Sequence, residues 1–539
     1  MIQFFKKSTQ SALTTCYLLI LIIFVNNNSY SRQVNVNRIS SLQNAINNAF
    51  VNDTIILANG TYTTNNIIIG SNNITVVPAT LGGVFLNGYD SIVISGSHVV
   101  FSGFQFISGS MSGAVISVTG DYNTLSQLNF NGYVSSKFIK ISGHNNTISN
   151  SNFENKSGTA PIGVLIQVDA SATTVGYNVI RYCSFKHIYG TGGDYGNECI
   201  RIGESSMSTF VSRTVIEYCY FEDTGYGDSE SISVKSQENC LRYNTMNNNP
   251  NAMFSFRNGD NNIAYGNFFL RSGGIRCKQA NNIYCYNNYF EKSGTGIDPN
   301  IPGNGGRSVV LEYYGTGYGN NINLYHNTFY KCNSIELQNG ITNNTWANNI
   351  FYQDSFKIFN SSSTGSIYKS NLYQGTIGTT ISSGMIQANP LLTLNSDGYY
   401  GLSAGSPAID ASSTIYTSPL GIVGIGADST IAFDIQGQAR PSQKNLKDIG
   451  CDEYQSGILL NHPVSACNTG PNYEIISAAN GDWNTPSTWV GGVVPSCNNK
   501  VVVRHNVTLS TDASCYSIRI ETVNGSLLVN QNHTLSVLH

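Results

Sequence analysis

The sequence predicts an all-β protein, a right-handed parallel β-helix in which each coil of the chain adds one rung to a stack of strands. Three observations lead to this prediction. An apolar residue followed five places later by a large apolar residue, usually Phe, recurs along most of the chain. The basal step between repeats is near 22 residues, which is typical of a solenoid. Gly, Asn, Ser and β-branched residues fill the repeats, whereas long runs of helix formers are absent.

The repeat can be followed from residue 101 to residue 372. Three of its steps are longer, at 32, 36 and 39 residues, and we interpret the additional residues as loops that wall a cleft on one side of the coil. The repeating pairs are Phe101/Phe106, Leu125/Phe130, Ile148/Phe153, Ile180/Phe185, Ile216/Phe221, Leu241/Met246, Ile263/Phe268, Cys285/Phe290, Leu324/Phe329, Trp346/Phe351 and Ile367/Leu372.

A polar residue also recurs once per coil. Asn lies three residues after the first member of four pairs, and Cys occupies the same place in two others. An Asn repeated at one turn can hydrogen-bond to its neighbours up the stack, so we expect a side-chain ladder there. The four are Asn244, Asn288, Asn327 and Asn349.

The N-terminus has the pattern of a secretory signal. Lys6 and Lys7 precede an apolar run over 16–25, and small residues follow at 29–31, which predicts a signal peptide over residues 1–31. The apolar run is too short for a comfortable membrane span. We therefore expect an exported protein, secreted, periplasmic or at the cell surface, with no membrane span after signal removal.

Two further units follow the signal. Helical spacing of Leu42, Ala45, Ile46 and Ala49 predicts an amphipathic helix that closes the first coil. We assign residues 32–455 to the β-helix domain. The rhythm changes from Asn461 onwards, and we assign residues 456–539 to a small β-rich unit, the C-terminal module, whose completeness the sequence leaves open. Its Trp483 and Trp489 are interpreted as core rather than as a sugar platform.

Composition limits the possible partners. The net charge of −3 provides no basic patch for nucleic acid. No CxxC pair or His cluster has the spacing of a zinc site. Cys497 and Cys515 are a plausible disulfide in an exported module, although connectivity cannot be derived from spacing.

Charged residues are only 11% of the chain, yet several cluster between 197 and 257. The stretches 228–236 and 254–258 alternate apolar and polar residues, as strands with one buried face do. Lys235 and Arg257 then occupy the same rung position in adjacent coils. The stretch 198–202 aligns one coil earlier, which places Glu198 beside Glu230.

This arrangement suggests a reaction. The oxygens of Asn197, Glu198, Asp228 and Glu230 suit a hard cation, and calcium is the natural occupant. Lys235 could abstract a proton next to a uronate carboxylate, with Arg257 assisting, so that the polymer breaks by β-elimination. A solvated face with weak ion pairs and a calcium-dependent sugar-binding solenoid are the alternatives.

Several ordered motifs over about residues 195–292 carry a family resemblance. They resemble the chondroitinase B/alginate lyase family, polysaccharide lyase family 6. The motifs are Asn197-Glu-Cys-Ile-Arg-Ile-Gly203, Glu230-Ser-Ile-Ser-Val-Lys-Ser-Gln-Glu-Asn239, Arg242-Tyr-Asn-Thr245, Phe256-Arg-Asn-Gly259, Gly266-Asn-Phe-Phe269 and Gly274-Ile-Arg276.

The resemblance implies roles for individual residues. Calcium would be held by Asn197, Asp228 and Glu230, with Glu198 able to share in it. Lys235 would be the base and Arg257 the catalytic arginine. Candidate substrate-binding residues are Arg276, Arg201 and Asn258. Asp228 is shorter than the Glu often found at its place, and Asn258 stands where many relatives have His.

The sequence thus predicts an exported, calcium-dependent polysaccharide lyase whose partner is an acidic, uronic-acid-containing polymer, with alginate preferred. The alternatives are a chondroitin or dermatan sulfate lyase and a non-catalytic carbohydrate-binding β-helix. Mannuronate or guluronate preference, endo or exo action, the role of the C-terminal module and the oligomeric state are left open.

Overall fold

The structure of the protein is a computed structural model. It describes residues 31–538 apart from 64, 157–162, 190–196, 226–229, 251, 295–306, 313–318, 339–340, 362–364, 413–430, 444–445, 456, 458 and 522–524. The predicted signal peptide and two of the three predicted long loops therefore lie wholly or largely outside the described residues. No helix in the described part of the chain is long and apolar enough to cross a membrane.

The β-helix domain is a right-handed parallel β-helix with three sheets, which we name A, B and C, and the predicted fold class is confirmed. Sheet A has 14 strands, namely Gln33–Val36, Thr54–Leu57, Thr75–Pro78, Val100–Ser102, Thr124–Ser126, Thr147–Ser149, Val179–Arg181, Val215–Glu217, Cys240–Arg242, Ile263–Tyr265, Asn281–Tyr286, Asn320–Tyr325, Thr342–Ala347 and Ile367–Lys369.

Each coil continues from sheet A into sheet B and then into sheet C. Sheet B has 14 strands, namely Gly60–Tyr62, Val84–Leu86, Phe104–Ile107, Asn129–Asn131, Asn152–Lys156, Ser184–Ile188, Tyr220–Glu222, Thr245–Asn247, Phe268–Leu270, Tyr289–Glu291, Thr328–Tyr330, Ile350–Tyr352, Asn371–Gln374 and Met385–Gln387. Sheet C has 11 strands, namely Asn65–Ile69, Asp90–Ile94, Ser110–Val118, Val134–Ile141, Val164–Val168, Glu198–Ile202, Glu230–Val234, Met253–Arg257, Ile275–Lys278, Val309–Glu312 and Glu336–Leu337.

The recurring Phe forms the centre of the core. Inward-facing rings of sheet B stack on one another from coil to coil, with centroids 4.3–5.5 Å apart. This separation matches the spacing between neighbouring strands, so each rung places one ring on the next. The apolar residue therefore recurs once per coil in the sequence because each coil places one ring in this stack.

Two of the predicted repeat pairs are one residue out of register. In the coil after Leu241 the residues that face the core are Ala264 and Phe269, rather than Ile263 and Phe268. In the last coil Tyr368 and Tyr373 align with the preceding pair, rather than Ile367 and Leu372. In both coils adjacent residues are apolar, so alternation alone could not distinguish the two faces. The outward Ile263 is buried, whereas the outward Ile367 is exposed.

The predicted Asn ladder is confirmed and is longer than expected. In each step a side-chain oxygen accepts bonds of 2.9–3.1 Å from the backbone and side-chain amides of the Asn one coil earlier. The two register errors above hid two members, Asn267 and Asn371, from the sequence pattern. The ladder consists of Asn244, Asn267, Asn288, Asn327, Asn349 and Asn371.

Both ends of the coil have non-repeating structure. The α-helix Ile39–Asn47 buries Leu42 and Ile46 against the first coil, as the helical spacing predicts. After the last coil come an antiparallel pair, Leu392–Leu394 and Tyr400–Leu402, and a segment over 431–454 on the side of the solenoid. Arg440 of this segment is buried, pairs with Glu453 at 2.8 Å, and donates to Asn287 at 3.1 Å. A short 3₁₀-helix, Ser205–Met207, lies between two coils.

The C-terminal module contains three small parallel sheets of its own. Trp483 and Trp489 are buried in its core at 0% and 2% exposure, which agrees with the predicted packing role. The disulfide joins Cys467 to Cys497, whereas Cys515 is a buried free thiol, so the expected pairing of Cys497 with Cys515 is wrong. The strands are Glu474–Ile476, Lys500–Val503 and Ser517–Ile520, then Gly481–Asp482, Asn506–Leu509 and Ser526–Val529, then Ala513–Cys515 and Leu535–Val537, with 3₁₀-helices Pro486–Thr488 and Val490–Gly492.

Candidate active site

The predicted site residues meet on the outer face of sheet C. In the strands Glu198–Ile202, Glu230–Val234 and Met253–Arg257, alternation directs the aliphatic and Phe side chains into the core. The opposite face of these rungs carries Arg201, Ser233 and Ser255 in register. Two small serines therefore lie in the middle of the face, with longer polar side chains around them.

Lys235 and Arg257 are brought onto adjacent rungs. Val234 pairs with Phe256, so the residues that directly follow them lie side by side. Lys278 occupies the next rung, opposite Arg257. Three cations thus follow one another along the edge of the face.

Glu230 lies next to this column of cations. The pairing of its strand with the following one shifts register just after Glu230, so the carboxylate leaves the regular alternation. It is 1% exposed, and its Oε1 lies 3.7 Å from Nη1 of both Arg257 and Arg276. Neither oxygen has a hydrogen-bond partner among the described residues. A buried carboxylate in this state is costly unless a cation or donor completes its surroundings.

The other predicted metal ligands have protein partners. Glu198 accepts two bonds of 2.7 Å from Arg201, and the pair is largely buried. The side-chain oxygen of Asn197 accepts from the Gly163 amide at 3.0 Å. Asp228 lies outside the described residues.

The donor set fits a hard cation best at Glu230. Its two oxygens are buried and accept no hydrogen bond from the described residues, and carboxylate oxygens are ligands that hard cations prefer. No group of three or more His, Cys, Asp or Glu residues with metal-binding geometry is found within the described ranges, which omit 226–229.

Lys235 has a lowered pKa. Burial is the largest cause, because it disfavours the charged amine. The charges of Arg201 and Arg257 lower the pKa further, whereas Glu198 and Glu230 raise it. A lysine that loses its proton more easily than usual is suited to act as a base.

The candidate substrate-binding residues have different surroundings. Arg276 is 5% exposed, and its Nε donates to Glu312 at 2.5 Å while its guanidinium faces Glu230. Arg201 is held by Glu198. Asn258 adopts a left-handed backbone with φ +68°, which Asn tolerates, and its buried side-chain oxygen has no hydrogen-bond partner in the part of the chain that the structure describes.

Sequence reasoning missed two charged members of this face. Lys278 lies opposite Arg257, and Glu312 pairs with both Arg276 and Lys278 at 2.5 and 3.5 Å. Lys278 follows Arg257 by 21 residues, close to the basal step, so the same register argument could have found it. Glu312 follows a long loop, which removes that signal.

The face is positive overall. The described charged residues on five successive strands, with the residue directly after each strand, are five cations and three carboxylates, a net charge of +2. Such a surface attracts an anionic ligand. The residues are Arg201, Lys235, Arg257, Arg276 and Lys278 against Glu198, Glu230 and Glu312.

The family comparison agrees with this geometry. A model of the family described as Chondroitinase B matches residues 36–298. The match covers the strands that carry Lys235, Arg257 and Glu230. Residues 36–298 belong to the chondroitinase B family. The chain is accordingly a polysaccharide lyase.

Solved structures share the fold of this chain. The family 6 alginate lyase AlyGC is 20% identical, with a TM-score of 0.63 over 94% of this chain and 71% of its own. A mannuronic acid specific family 6 lyase from human gut microbiota is 19% identical, with a TM-score of 0.57 over 66% and 91%. The family 6 polysaccharide lyase Pedsa3628 from Pseudopedobacter saltans is 22% identical, with a TM-score of 0.52 over 64% and 94%. No curated protein matches the chain.

Proposed function

We propose that this polysaccharide lyase cleaves a uronic-acid-containing polymer, alginate in the first place, by β-elimination. The observation that carries the proposal is the column formed by Lys235 and Arg257 beside the buried carboxylate of Glu230. The positive face supports an anionic substrate. Alginate comes first because solved alginate lyases are among the structures that share this fold.

In the proposed reaction one proton leaves a sugar carbon and another reaches the leaving oxygen. The neutral amine of Lys235 takes the proton from the carbon next to the uronate carboxylate, so that this C–H bond breaks. The electron pair forms a carbon–carbon double bond, and the bond from the neighbouring carbon to the glycosidic oxygen breaks. Arg257 stabilises the negative charge that develops on the carboxylate. The leaving oxygen takes a proton from water, and Lys235 afterwards returns to water the proton that it took. The products are a new chain end and an unsaturated sugar.

We also propose calcium as the cofactor. Glu230, Asn197 and Asp228 would hold it, with Glu198 beside them. When bound, it neutralises the uronate carboxylate and acidifies the adjacent carbon-bound proton. Export is part of the proposal, because the polymer lies outside the cell and residues 1–31 have the pattern of a signal.

A sulfated glycosaminoglycan is the second candidate substrate, favoured by the description of the matching family model. Sulfate groups beyond the cleavage point would need further cations along the face. Lys and Arg together number 28 in 539 residues, and this low content favours alginate.

The decisive test is a product assay with Lys235→Ala. We expect the parent protein to release unsaturated product, seen by ultraviolet absorbance, from alginate and not from dermatan sulfate. Lys235→Ala should lower turnover by about a thousandfold or more, because it removes the base. Polymannuronate and polyguluronate as separate substrates would then give the preference.

Lys140→Ala is the matched control. Lys140 is also an outward lysine of sheet C, but it pairs with Asp169 at 3.1 Å and lies two rungs before Arg201. Its variant should retain parental turnover. Normal turnover in Lys235→Ala, or no unsaturated product from any uronate polymer with the parent protein, would contradict the proposal.

A further inference from the structure

We infer that the groove between sheet B and the C-terminal module is a second, non-catalytic binding site for a short neutral oligosaccharide. The groove has a volume of about 470 Å³, within the range of about 300–1,000 Å³ of small-molecule sites. One wall is the outer face of the strands Asn129–Asn131, Asn152–Lys156 and Ser184–Ile188, and the other is formed by residues of the C-terminal module between 466 and 499. The site is distinct from the cation column, which lies on sheet C.

The groove is preformed because the C-terminal module is fixed to the solenoid. Tyr473 is buried, and its hydroxyl donates to the backbone carbonyl of Gln127. The backbone amide of Gly470 donates to Tyr182 O at 2.8 Å. The disulfide Cys467–Cys497 joins the two segments that line this wall. A site whose walls are already in place loses little entropy on binding.

The floor of the groove has hydrogen-bonding groups of both kinds. Asn152 donates to Asn129 at 2.9 Å and to Glu154 at 3.0 Å, so the two amides form a row that crosses neighbouring strands. Ser184 is 2% exposed and lines the groove, yet its hydroxyl has no hydrogen-bond partner within the described ranges. A buried hydroxyl without a partner is unfavourable, and a ligand hydroxyl in the groove would satisfy it.

The opposite wall combines polar and apolar groups. Thr469, Ser496 and Asn498 contribute hydroxyl and amide groups, while Val493 and Val494 are apolar and partly exposed. A sugar presents hydroxyls that both donate and accept, together with faces made of C–H groups. The two walls therefore match a glycan better than a ligand that is purely apolar or purely ionic.

Charge selects a neutral glycan. The charged side chains lining the groove are Glu154 and Lys186, which form an ion pair of 3.1 Å with each other. Their charges cancel, so the groove offers no excess cation for a uronate or sulfate group. This separates the groove from the positive face of sheet C.

Calorimetric titration of the full chain tests the inference. The probes are cellotriose, mannotriose and trimannuronate. We expect one of the two neutral trisaccharides to bind, and Asn131→Trp to weaken that binding by about tenfold or more. Asn131 lines the groove and is partly exposed, so the indole fills the groove without entering the core.

Asn247→Trp is the matched control. Asn247 lies four rungs further along the same column of sheet B, is partly exposed, and is outside the groove. It should bind the trisaccharide as the parent does. Asn131→Trp could lose binding because it is less stable, which a lower melting temperature than that of Asn247→Trp would reveal. In that case Pro486→Trp serves as the second groove-filling variant, because Pro486 is an exposed residue of the opposite wall.

Three results would overturn the inference. The first is that neither neutral trisaccharide binds. The second is that a neutral trisaccharide still binds with unchanged affinity to both groove-filling variants. The third is that only trimannuronate binds and that the groove-filling variants remove its binding. None of these results bears on the lyase assay, because the catalytic face is a different sheet.

Discussion

Glu230 is the residue on which the candidate active site depends most. A carboxylate that is 1% exposed, with no hydrogen bond to either oxygen among the described residues, is a costly feature in a folded protein. Its nearest cations are two arginine nitrogens at 3.7 Å. The arrangement is stable only if the charges around it, or a bound ion, offset the loss of water.

Glu230→Gln tests the proposed calcium. We expect the parent to bind one calcium by calorimetric titration, and the variant to bind it about tenfold or more weakly, because a neutral amide replaces the charged ligand. Chelation should remove lyase activity from the parent, and added calcium should restore it. Glu238→Gln, whose carboxylate pairs with Arg213 elsewhere, should bind calcium as the parent does. Equal affinity in Glu230→Gln would exclude this residue as a ligand.

Arg201→Gln tests the base. Arg201 lowers the pKa of Lys235 through its own charge, and it also neutralises Glu198, whose charge raises that pKa. Its removal should therefore raise the pKa of Lys235. A base acts in its neutral form, so the acid limb of the kcat–pH profile should move to higher pH.

The control for this shift is Arg213→Gln, which removes a cation paired with Glu238 at a distance from sheet C. Its acid limb should coincide with that of the parent. An acid limb that stays in place in Arg201→Gln, or moves to lower pH, would show that Lys235 is not the titrating base.

At the scale of the element, the coils are joined by more than strand pairing. The side-chain oxygen of Asn327 accepts from both the backbone and the side-chain amide of Asn288, at 3.0 Å each. Its own amide donates to Cys285 O and to Asn349. These bonds satisfy backbone groups at a turn where strand pairing is interrupted.

Asn327→Ala should destabilise the solenoid by about 2–4 kcal/mol, because it leaves buried amide and carbonyl groups without partners. The melting temperature in differential scanning calorimetry measures the effect. Asn343→Ala is the control, since Asn343 is an exposed residue of the strand Thr342–Ala347 whose side chain makes one bond, to Asn320. Its φ of +50° gives the alanine a backbone cost of about 1 kcal/mol, so the control shift should be no larger than that. An equally small shift in both variants would mean that the ladder contributes little.

At the scale of the whole molecule, the C-terminal module approaches sheet B closely at two glycines. A Cβ added to Gly491 would lie 1.9 Å from the ring of Phe85, and one added to Gly82 would lie 2.8 Å from the ring of Tyr473. Both glycines have positive φ. The contact therefore depends on the absence of two side chains.

Gly491→Ala should loosen the module, whereas Gly492→Ala should not. Both have φ near +70°, so both alanines carry a similar backbone cost of about 1 kcal/mol. Only Gly491 adds a clash with an aromatic ring, because the nearest atom to a Cβ on Gly492 is 3.9 Å away. Limited proteolysis should cut the linker after residue 455 faster in Gly491→Ala. Equal rates would show that this contact does not hold the module.

The sequence by itself determined the coil, the sheet C register and the pairing of Lys235 with Arg257. A parallel β-helix repeats one environment every 22 residues or so, and this periodicity is recorded directly in the spacing of Phe and Asn. It failed at Ile263 and at Ile367, where apolar residues cover both faces and the alternation has no contrast.

Only the tertiary structure decided which charged side chains pair, which cysteines join and where the C-terminal module packs. The position of Glu312 depends on the length of a loop, and the groove at sheet B depends on contacts across hundreds of residues. The arginines next to Glu230 and the disulfide Cys467–Cys497 depend on how separate segments pack. The pairing of Glu198 with Arg201 depends on side-chain packing within one strand. Periodicity fixes which residues share a rung. It carries no information on how side chains of opposite charge pair across rungs, or on where a separate module packs, because those depend on distances in three dimensions.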